Sequence, residues 1–281
     1  MKDKEFALIA NDLRQDIVRM LVEAKSGHTA GPLGMADIFA VLYFAHARVD
    51  PAKPAWEGRD YILVSNGHIC PVWYATLARK GFFPADQLMS FRKINSLLQG
   101  HPHVGPIPGV ENSGGPLAQG LSQAAGVALA LRIDKRPNRV YCICSDGEHD
   151  EGQAWEAALF AAFHRLGNLS LIMDRNNIQI DGPTDRVMGL EPLADKYRAF
   201  GWHVVEIDGH DIGEIRNALR KADEETERPT MIIAKTVPGK GVREFENNYE
   251  WHGKPPSAEQ GARALLELQE ERERIGRRWF S

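Results

Sequence analysis

The feature that most constrains the fold is a regular alternation of short apolar runs and helical patterns in the second half of the chain. The runs that predict strands are continuously apolar, as in V-Y-C-I-C at positions 140–144. Such runs are typical of strands that are covered on both faces. The alternation therefore predicts an α/β fold, in which a parallel sheet carries helices on both of its faces.

The apolar periodicity places the individual elements along the chain. Strands are predicted at 61–64, 139–144, 169–174, 203–207 and 230–236. Helices are predicted at 6–23, 35–47, about 72–80, 120–132, 153–166, 194–200 and 212–223. The Gly- and Pro-rich stretch 97–120 predicts an ordered functional loop. We interpret residues 1–281 as a single domain, with 257–281 as a charged helical tail.

Composition excludes several classes of protein. The net charge of -4 gives no reason to expect nucleic acid or an anionic membrane as a partner. The longest apolar runs fall far short of the roughly 20 residues of a membrane span, and the N-terminus lacks a signal-peptide core. Three cysteines, Cys70, Cys142 and Cys144, favour neither a disulfide framework nor a structural zinc. We expect a soluble protein of the reducing cytoplasm.

Polar side chains follow two of the predicted strands. Asp146 and Gly147 come directly after one strand, and Asn176 follows the next strand along the chain. Ligands of open parallel sheets lie beyond the carboxyl ends of the strands. A carboxylate, an amide oxygen and backbone carbonyls are the ligands that Mg²⁺ or Ca²⁺ prefers, and a glycine lets the backbone approach a phosphate closely. The pattern predicts a metal that anchors a diphosphate.

These residues stand within motifs that resemble those of transketolases. The segments D-G-E-H-D-E-G-Q-A-W-E-A and D-R-N-N-I-Q-I-D-G are similar to the family's thiamine diphosphate motif. S-G-H-T-A-G-P-L-G, S-N-G-H, Q-G-H-P-H, G-G-P-L-A-Q-G and Y-E-W-H-G also occur in the family's order. The resemblance covers nearly the whole chain, but only the N-terminal, diphosphate-binding part of a full transketolase. It implies the thiamine diphosphate-binding fold.

The resemblance implies a role for each matching residue. The metal ligands would be Asp146, Asn176 and the carbonyl of Ile178, with Mg²⁺ as the expected ion and Ca²⁺ or Mn²⁺ as alternatives. The cofactor would contact His68, Gly115, Pro116, Leu117, Asp146, Gly147, Asn176, Ile180 and His252, and Glu151 would lie at the subunit interface near it. The catalytic residues facing the reacting carbon and the sugar would be His28, His101 and His252.

The other histidines, His46, His103, His149, His164, His203 and His210, are expected to be structural. Arg92 faces either the cleft or solvent. Three positions depart from the family's usual residues: Ser145 replaces a glycine, His103 a glutamate and Ala118 a glycine. None of these departures removes a metal ligand, but His103 bears on substrate preference.

The resemblance also implies that this chain needs a partner. In transketolases the glutamate that activates the cofactor belongs to a second, pyrimidine-binding domain, which would here be a separate C-terminal subunit. We expect an α2β2 assembly that transfers a two-carbon ketol unit from a ketose, or ketose phosphate, to an aldose. The alternatives are a subunit of a 2-oxo acid dehydrogenase, a deoxyxylulose-phosphate synthase fragment, and a non-catalytic thiamine-binding subunit.

Overall fold

A five-stranded parallel sheet forms the centre of the computed structural model, which describes residues 1–277. Its strands are β1 (Tyr61–Val64), β2 (Val140–Ser145), β3 (Leu169–Arg175), β6 (His203–Asp208) and β7 (Thr230–Lys235). They lie in the order β1-β2-β3-β7-β6. Two short antiparallel strands, β4 (Ile178–Gln179) and β5 (Gly182–Pro183), form a hairpin after β3. All parallel pairs align their carboxyl ends at one edge of the sheet.

Helices connect these strands. They are α1 (Asp3–Ala24), α2 (Ala30–Gly34), α3 (Ala36–Val41), α4 (Cys70–Lys80), α5 (Gln119–Ile133), α6 (Gly152–Phe163), α7 (Thr184–Val187), α8 (Leu193–Phe200), α9 (Ile212–Glu224) and α10 (Ala258–Arg277). Single-turn segments follow β1 at Gly67–Ile69 and β2 at Gly147–Asp150. Within residues 1–277, no helix combines the length and the apolar character that crossing a membrane requires.

Two apolar cores cover the two faces of the sheet. Successive strand residues alternate between them, so that Cys142 and Cys144 contribute to one core and Ile143 to the other. One core is completed by α1, α3, α4 and α9, and the other by α5, α6 and α8. Both faces of the sheet are therefore buried, which explains why the strands read as continuous apolar runs. The α/β sheet with helices on both faces is confirmed.

The elements follow the periodicity closely, and two of the differences lie in the segment 26–47. The Gly-rich turn at 26–34 contains the short helix α2, because Ala30, Leu33 and the residues between them are fully buried and pack as one helical turn. The predicted helix 35–47 ends as a π-helical segment, Leu42–His46. The predicted helical tail 257–281 contains α10, which packs on α1, and residues 278–281 of the prediction lie outside the described residues.

Candidate functional site

The carboxyl ends of β2 and β3 form the floor of the site. The two strands are neighbours in the sheet, and Ser145 is paired with Asp174. Asp146 and Asn176 therefore leave adjacent strands on the same edge. The Asp146 side chain is fully buried, and its carboxylate accepts hydrogen bonds from the backbone N–H groups of Gly147 at 2.8 Å and Asn177 at 2.7 Å. These bonds fix the direction in which the carboxylate points.

Arg175 gives the same carboxylate a charged neighbour that the sequence did not reveal. Its Nη1 lies 2.8 Å from Asp146 Oδ2 and donates to Thr184 Oγ1 at 3.0 Å, and its Nη2 lies 2.9 Å from Glu191 Oε1. Burial raises the pKa of Asp146, and the guanidinium of Arg175 opposes that rise. The ion pair compensates the buried charge of Asp146 within this chain.

A second buried acid, Asp174, orients Asn176. The Asn176 amide donates to Asp174 Oδ2 at 2.8 Å and accepts from the backbone N–H of Ile178 at 3.0 Å. Burial raises the pKa of Asp174 to about 7, and Thr236 donates a hydrogen bond to its other oxygen. Asn176 and Ile178 thus adjoin Asp146 at the base of the β4–β5 hairpin. Ile180, at the tip of that hairpin, is 69% exposed.

Glu148 joins three segments of the site and was missed in the sequence. Its carboxylate is fully buried and accepts from Ser65 Oγ at 2.6 Å, the Ala118 N–H at 2.7 Å and the Ser145 N–H at 2.7 Å. Burial raises its pKa, and the three donors lower it. The segment E-H-D-E contains other acids that are exposed, Asp150 and Glu151, so its spacing alone could not distinguish Glu148.

Four histidines converge above the floor. His28 follows α1, His68 follows β1, His101 lies in the loop before α5, and His252 precedes α10. The ring centroid of His28 is 5.0 Å from that of His68, 5.4 Å from that of His252 and 6.5 Å from that of His101. The rings of His68 and His252 are 5.0 Å apart. The structure thus brings together the four histidines that the motifs singled out.

Burial keeps this histidine cluster neutral. It lowers the pKa of His28 to about 3, with a further contribution from His252, and it lowers the pKa of His68, His101 and His252. Neutral imidazoles can accept a proton from a hydroxyl group or donate a hydrogen bond from one ring nitrogen. The cluster can therefore bind an anion's oxygens and exchange protons with a bound molecule.

Within residues 1–277, Asn66 beside the cluster and His28 within it have buried polar atoms without a hydrogen-bond partner. Asn66 is fully buried with neither amide atom bonded, and the Nδ1 atom of His28 is likewise buried and unbonded. Burying a polar group without a partner costs free energy, so such groups call for a ligand or water. These unpaired atoms indicate that the cleft accommodates a polar ligand.

Close backbone contact shapes one wall of the cleft. A Cβ atom at Gly67 would lie 2.9 Å from Gly114 Cα, so the His68 turn can only meet the loop at 114–118 if glycine occupies both positions. Gly115 adopts a positive φ of 138°, which favours glycine. In the same loop Pro116 is exposed, while the carbonyl of the half-buried Leu117 accepts from Gln153 at 3.2 Å.

The histidines expected to be structural lie in varied surroundings. His149 is buried, with its ring nitrogens 3.1 Å from the Ser145 carbonyl and 2.6 Å from the Tyr197 hydroxyl. His210 lies 2.8 Å from Asp37 on another part of the surface. His103 is exposed but lines the same cavity as His101. Of these histidines, His103 is therefore the one that bears on the cleft.

Comparison with known proteins agrees with this geometry. Residues 6–269 match the family described as "Transketolase, thiamine diphosphate binding domain". The chain is 40% identical to the 6-deoxy-6-sulfo-D-fructose transketolase subunit of Clostridium sp. (strain MSTE9), covering 93% of this chain and 95% of that one. It is 37% identical to one of the subunits of the apulose-4-phosphate transketolase of Phocaeicola vulgatus, covering 93% of each.

Longer relatives match over part of their length. The chain covers 39% of the chromosomal transketolase of Cupriavidus necator, at 39% identity. It covers 46% of the transketolase of Campylobacter jejuni, whose crystal structure superimposes with a TM-score of 0.90 at 34% identity. The chain therefore spans about half the length, or less, of these transketolases. The family match, the sequence identities and the shared fold together show that this chain belongs to the transketolase family, as its N-terminal, thiamine diphosphate-binding domain.

Proposed function

We propose that the chain is the diphosphate-binding subunit of a two-subunit transketolase, which transfers a two-carbon ketol unit from a ketose to an aldose. The observation that carries the proposal is the convergence of His28, His68, His101 and His252 above the buried Asp146. The chain covers nearly the whole length of two relatives that are named as transketolase subunits, but less than half of a longer transketolase. This difference supports a separate partner chain.

The residues present fit thiamine diphosphate and a divalent cation. Asn66 and His28 supply buried polar atoms that lack partners within residues 1–277, and a ring N–H of His68 can donate to diphosphate oxygens. Asp146, Asn176 and the Ile178 carbonyl supply hard oxygen ligands of the kind that Mg²⁺ prefers. Residues 1–277 contain no group of three His, Cys, Asp or Glu side chains suited to a metal, so amide and carbonyl oxygens would complete the set.

Arg175 affects how a cation would enter this site. Its guanidinium lies 2.8 Å from the Asp146 carboxylate, where it opposes a second positive charge. Arg175 also contacts Glu191 and Thr184, so it retains partners if Asp146 turns to a metal. Binding of the cation together with a diphosphate adds negative charge that offsets this repulsion.

The chain's own residues would bind, orient and exchange protons. Thiamine diphosphate, when bound, supplies the electron sink that carbon–carbon cleavage in a ketose requires. His68 and His252 would donate hydrogen bonds to the diphosphate. His28, held neutral by burial, and His101 would accept hydrogen bonds from the sugar hydroxyl groups and exchange protons with them, while the negative charge of a bound diphosphate would favour the protonated imidazoles. The partner subunit, in two copies with two of this chain, would complete the cofactor site.

Reconstitution tests the proposal. We expect no ketol transfer from the purified chain alone, and cofactor- and Mg²⁺-dependent transfer after mixing with a partner chain that carries the pyrimidine-binding domain. Suitable donors are D-fructose 6-phosphate and 6-deoxy-6-sulfo-D-fructose, because relatives are named for phosphorylated and sulfonated sugars. Steady turnover by the chain alone would refute the division of the enzyme into two chains.

Calorimetry of the reconstituted complex tests the metal assignment separately. Asp146→Ala should abolish Mg²⁺-dependent cofactor binding, because it removes the charged ligand. Asp150→Ala is the matched control, since Asp150 lies in the same segment but is exposed and accepts from Gln179. Equal cofactor affinity of Asp146→Ala and the unmodified complex would rule out Asp146 as a metal ligand.

A further inference from the structure

A cavity of about 500 Å³ adjoins the histidine cluster on the side of the loop before α5. The residues that line it are Ser26, Arg92, Gln99, Gly100, His101 and His103. None of them is acidic, and one carries a permanent positive charge. His101 belongs both to this cavity and to the cluster around His28, so the cavity opens next to the place where a sugar would react.

The guanidinium of Arg92 is held in one position within this cavity. Its Nη1 donates to Ser26 Oγ at 2.9 Å, and its Nη2 lies 3.4 Å from the Gly100 carbonyl. A Cβ atom at Gly100 would lie 2.5 Å from Arg92 Nε, so only glycine allows the guanidinium to lie against the backbone there. Arg92 itself has a φ of +57°, a left-handed conformation that residues with side chains rarely adopt.

In the described part of the chain Arg92 forms no ion pair, and its buried Nε atom has no hydrogen-bond partner. A guanidinium has five N–H donors, of which the contacts to Ser26 and Gly100 use two. A positioned and partly buried guanidinium with free donors is a ready site for an oxyanion, which it can bind through two oxygens at once.

We infer that Arg92 and His103 form an oxyanion subsite for a phosphate or sulfonate group of the sugar substrate. That the anion belongs to a sugar rests on the proposed transketolase function. His103 lines the same cavity as Arg92, and a ring N–H of this histidine can supply a further donor to an oxyanion held there.

The binding part of the inference is tested on the full-length chain with inorganic phosphate and, separately, inorganic sulfate. Titration is followed by the ring-proton resonances of His101 and His103. Arg92→Gln should weaken phosphate binding about 10- to 150-fold, the cost of losing a hydrogen bond to a charged group. Lys93→Gln is the matched control, because Lys93 carries the same charge one residue away but pairs with Glu23. Absence of a phosphate-dependent shift, or equal shifts in Arg92→Gln and the unmodified chain, would overturn the inference.

The substrate part is tested on the two-subunit complex with D-fructose 6-phosphate, 6-deoxy-6-sulfo-D-fructose and D-fructose as donors. Arg92→Gln and His103→Glu should raise the KM for the two charged ketoses and leave the KM for D-fructose unchanged. For Arg92→Gln the rise should reach up to about 10- to 150-fold, as for phosphate binding. Comparison of the phosphate and sulfonate donors shows which oxyanion the subsite prefers.

The outcomes separate this subsite from the overall function. A complex without ketol transfer, combined with Arg92-dependent phosphate binding, would refute the proposed function and support the oxyanion site. An equal rise in the KM of Arg92→Gln for all three ketoses would show that Arg92 does not recognise the anionic group and would overturn the inference. If Arg92→Gln weakens the association of the two subunits but leaves phosphate binding unchanged, the guanidinium contacts the partner subunit rather than an oxyanion, and the inference is overturned.

Discussion

Replacement of Glu148 by glutamine should destabilise the protein although the two side chains have the same shape. The glutamate accepts from Ser65 Oγ and from the backbone N–H groups of Ala118 and Ser145 at 2.6–2.7 Å, with no exposed surface. A glutamine has one acceptor oxygen, so its NH₂ group must face one of these donors. At least one buried donor is then left without an acceptor.

The magnitude follows from this count. An unsatisfied buried donor costs about 1–3 kcal/mol, and the remaining bonds become weaker when the acceptor loses its charge. Part of that cost is offset because a neutral amide is easier to bury than a carboxylate, whose raised pKa records the cost of burial. We therefore expect Glu148→Gln to lower the free energy of unfolding by about 1–3 kcal/mol, a large share of the roughly 5–15 kcal/mol of a typical protein.

Urea unfolding of the full-length chain measures this difference. The matched control is Glu156→Gln on the exposed side of α6, where we expect a change within about 0.5 kcal/mol. Because Glu148 joins the end of β1, the start of α5 and the end of β2, the variant should also bind the cofactor more weakly in the reconstituted complex. Equal unfolding midpoints and slopes for Glu148→Gln and Glu156→Gln would show that the three hydrogen bonds do not stabilise the fold.

Burial lowers the pKa of His28 from 6.5 to about 3. As the pH drops, this histidine is therefore protonated in the unfolded chain before it is protonated in the folded chain, and the free energy of unfolding falls between pH 6.5 and pH 3. His28→Asn should reduce that slope in urea unfolding by up to about 1.4 kcal/mol per pH unit, and an unchanged slope would contradict the assignment. Excess cofactor should restore much of the activity of His68→Ala, which loses a cofactor contact, but not that of His101→Ala, which loses a sugar contact; equal rescue in a cofactor titration would refute this division. Leu159, Phe160 and Phe163 on α6 are 57%, 41% and 81% exposed and lie on neighbouring turns, so Phe163→Ser should weaken association with the partner subunit in sedimentation; unchanged association would show that this apolar patch lies outside the interface.

The local sequence pattern determined the fold class of this protein and the edge of the sheet at which its site lies. The continuous apolar runs at β2 and β3 reflect a sheet buried on both faces, and that burial is a property each strand carries in its own residues. Because parallel strands align their carboxyl ends, the positions of Asp146 and Asn176 after consecutive strands already implied that they leave the same edge. The motifs around His28, His68, His101 and His252 also identified the residues that converge.

Only the tertiary structure decided which polar groups meet. Glu148, Asp150 and Glu151 are indistinguishable by spacing, yet Glu148 alone is buried, because donors from β1 and from the start of α5 surround it. Arg175 could have faced solvent at the end of its strand, but its guanidinium lies against Asp146 and also contacts Thr184 and Glu191. These contacts join segments that are distant in the chain, and their energies depend on burial and direction, which no local spacing of residues records.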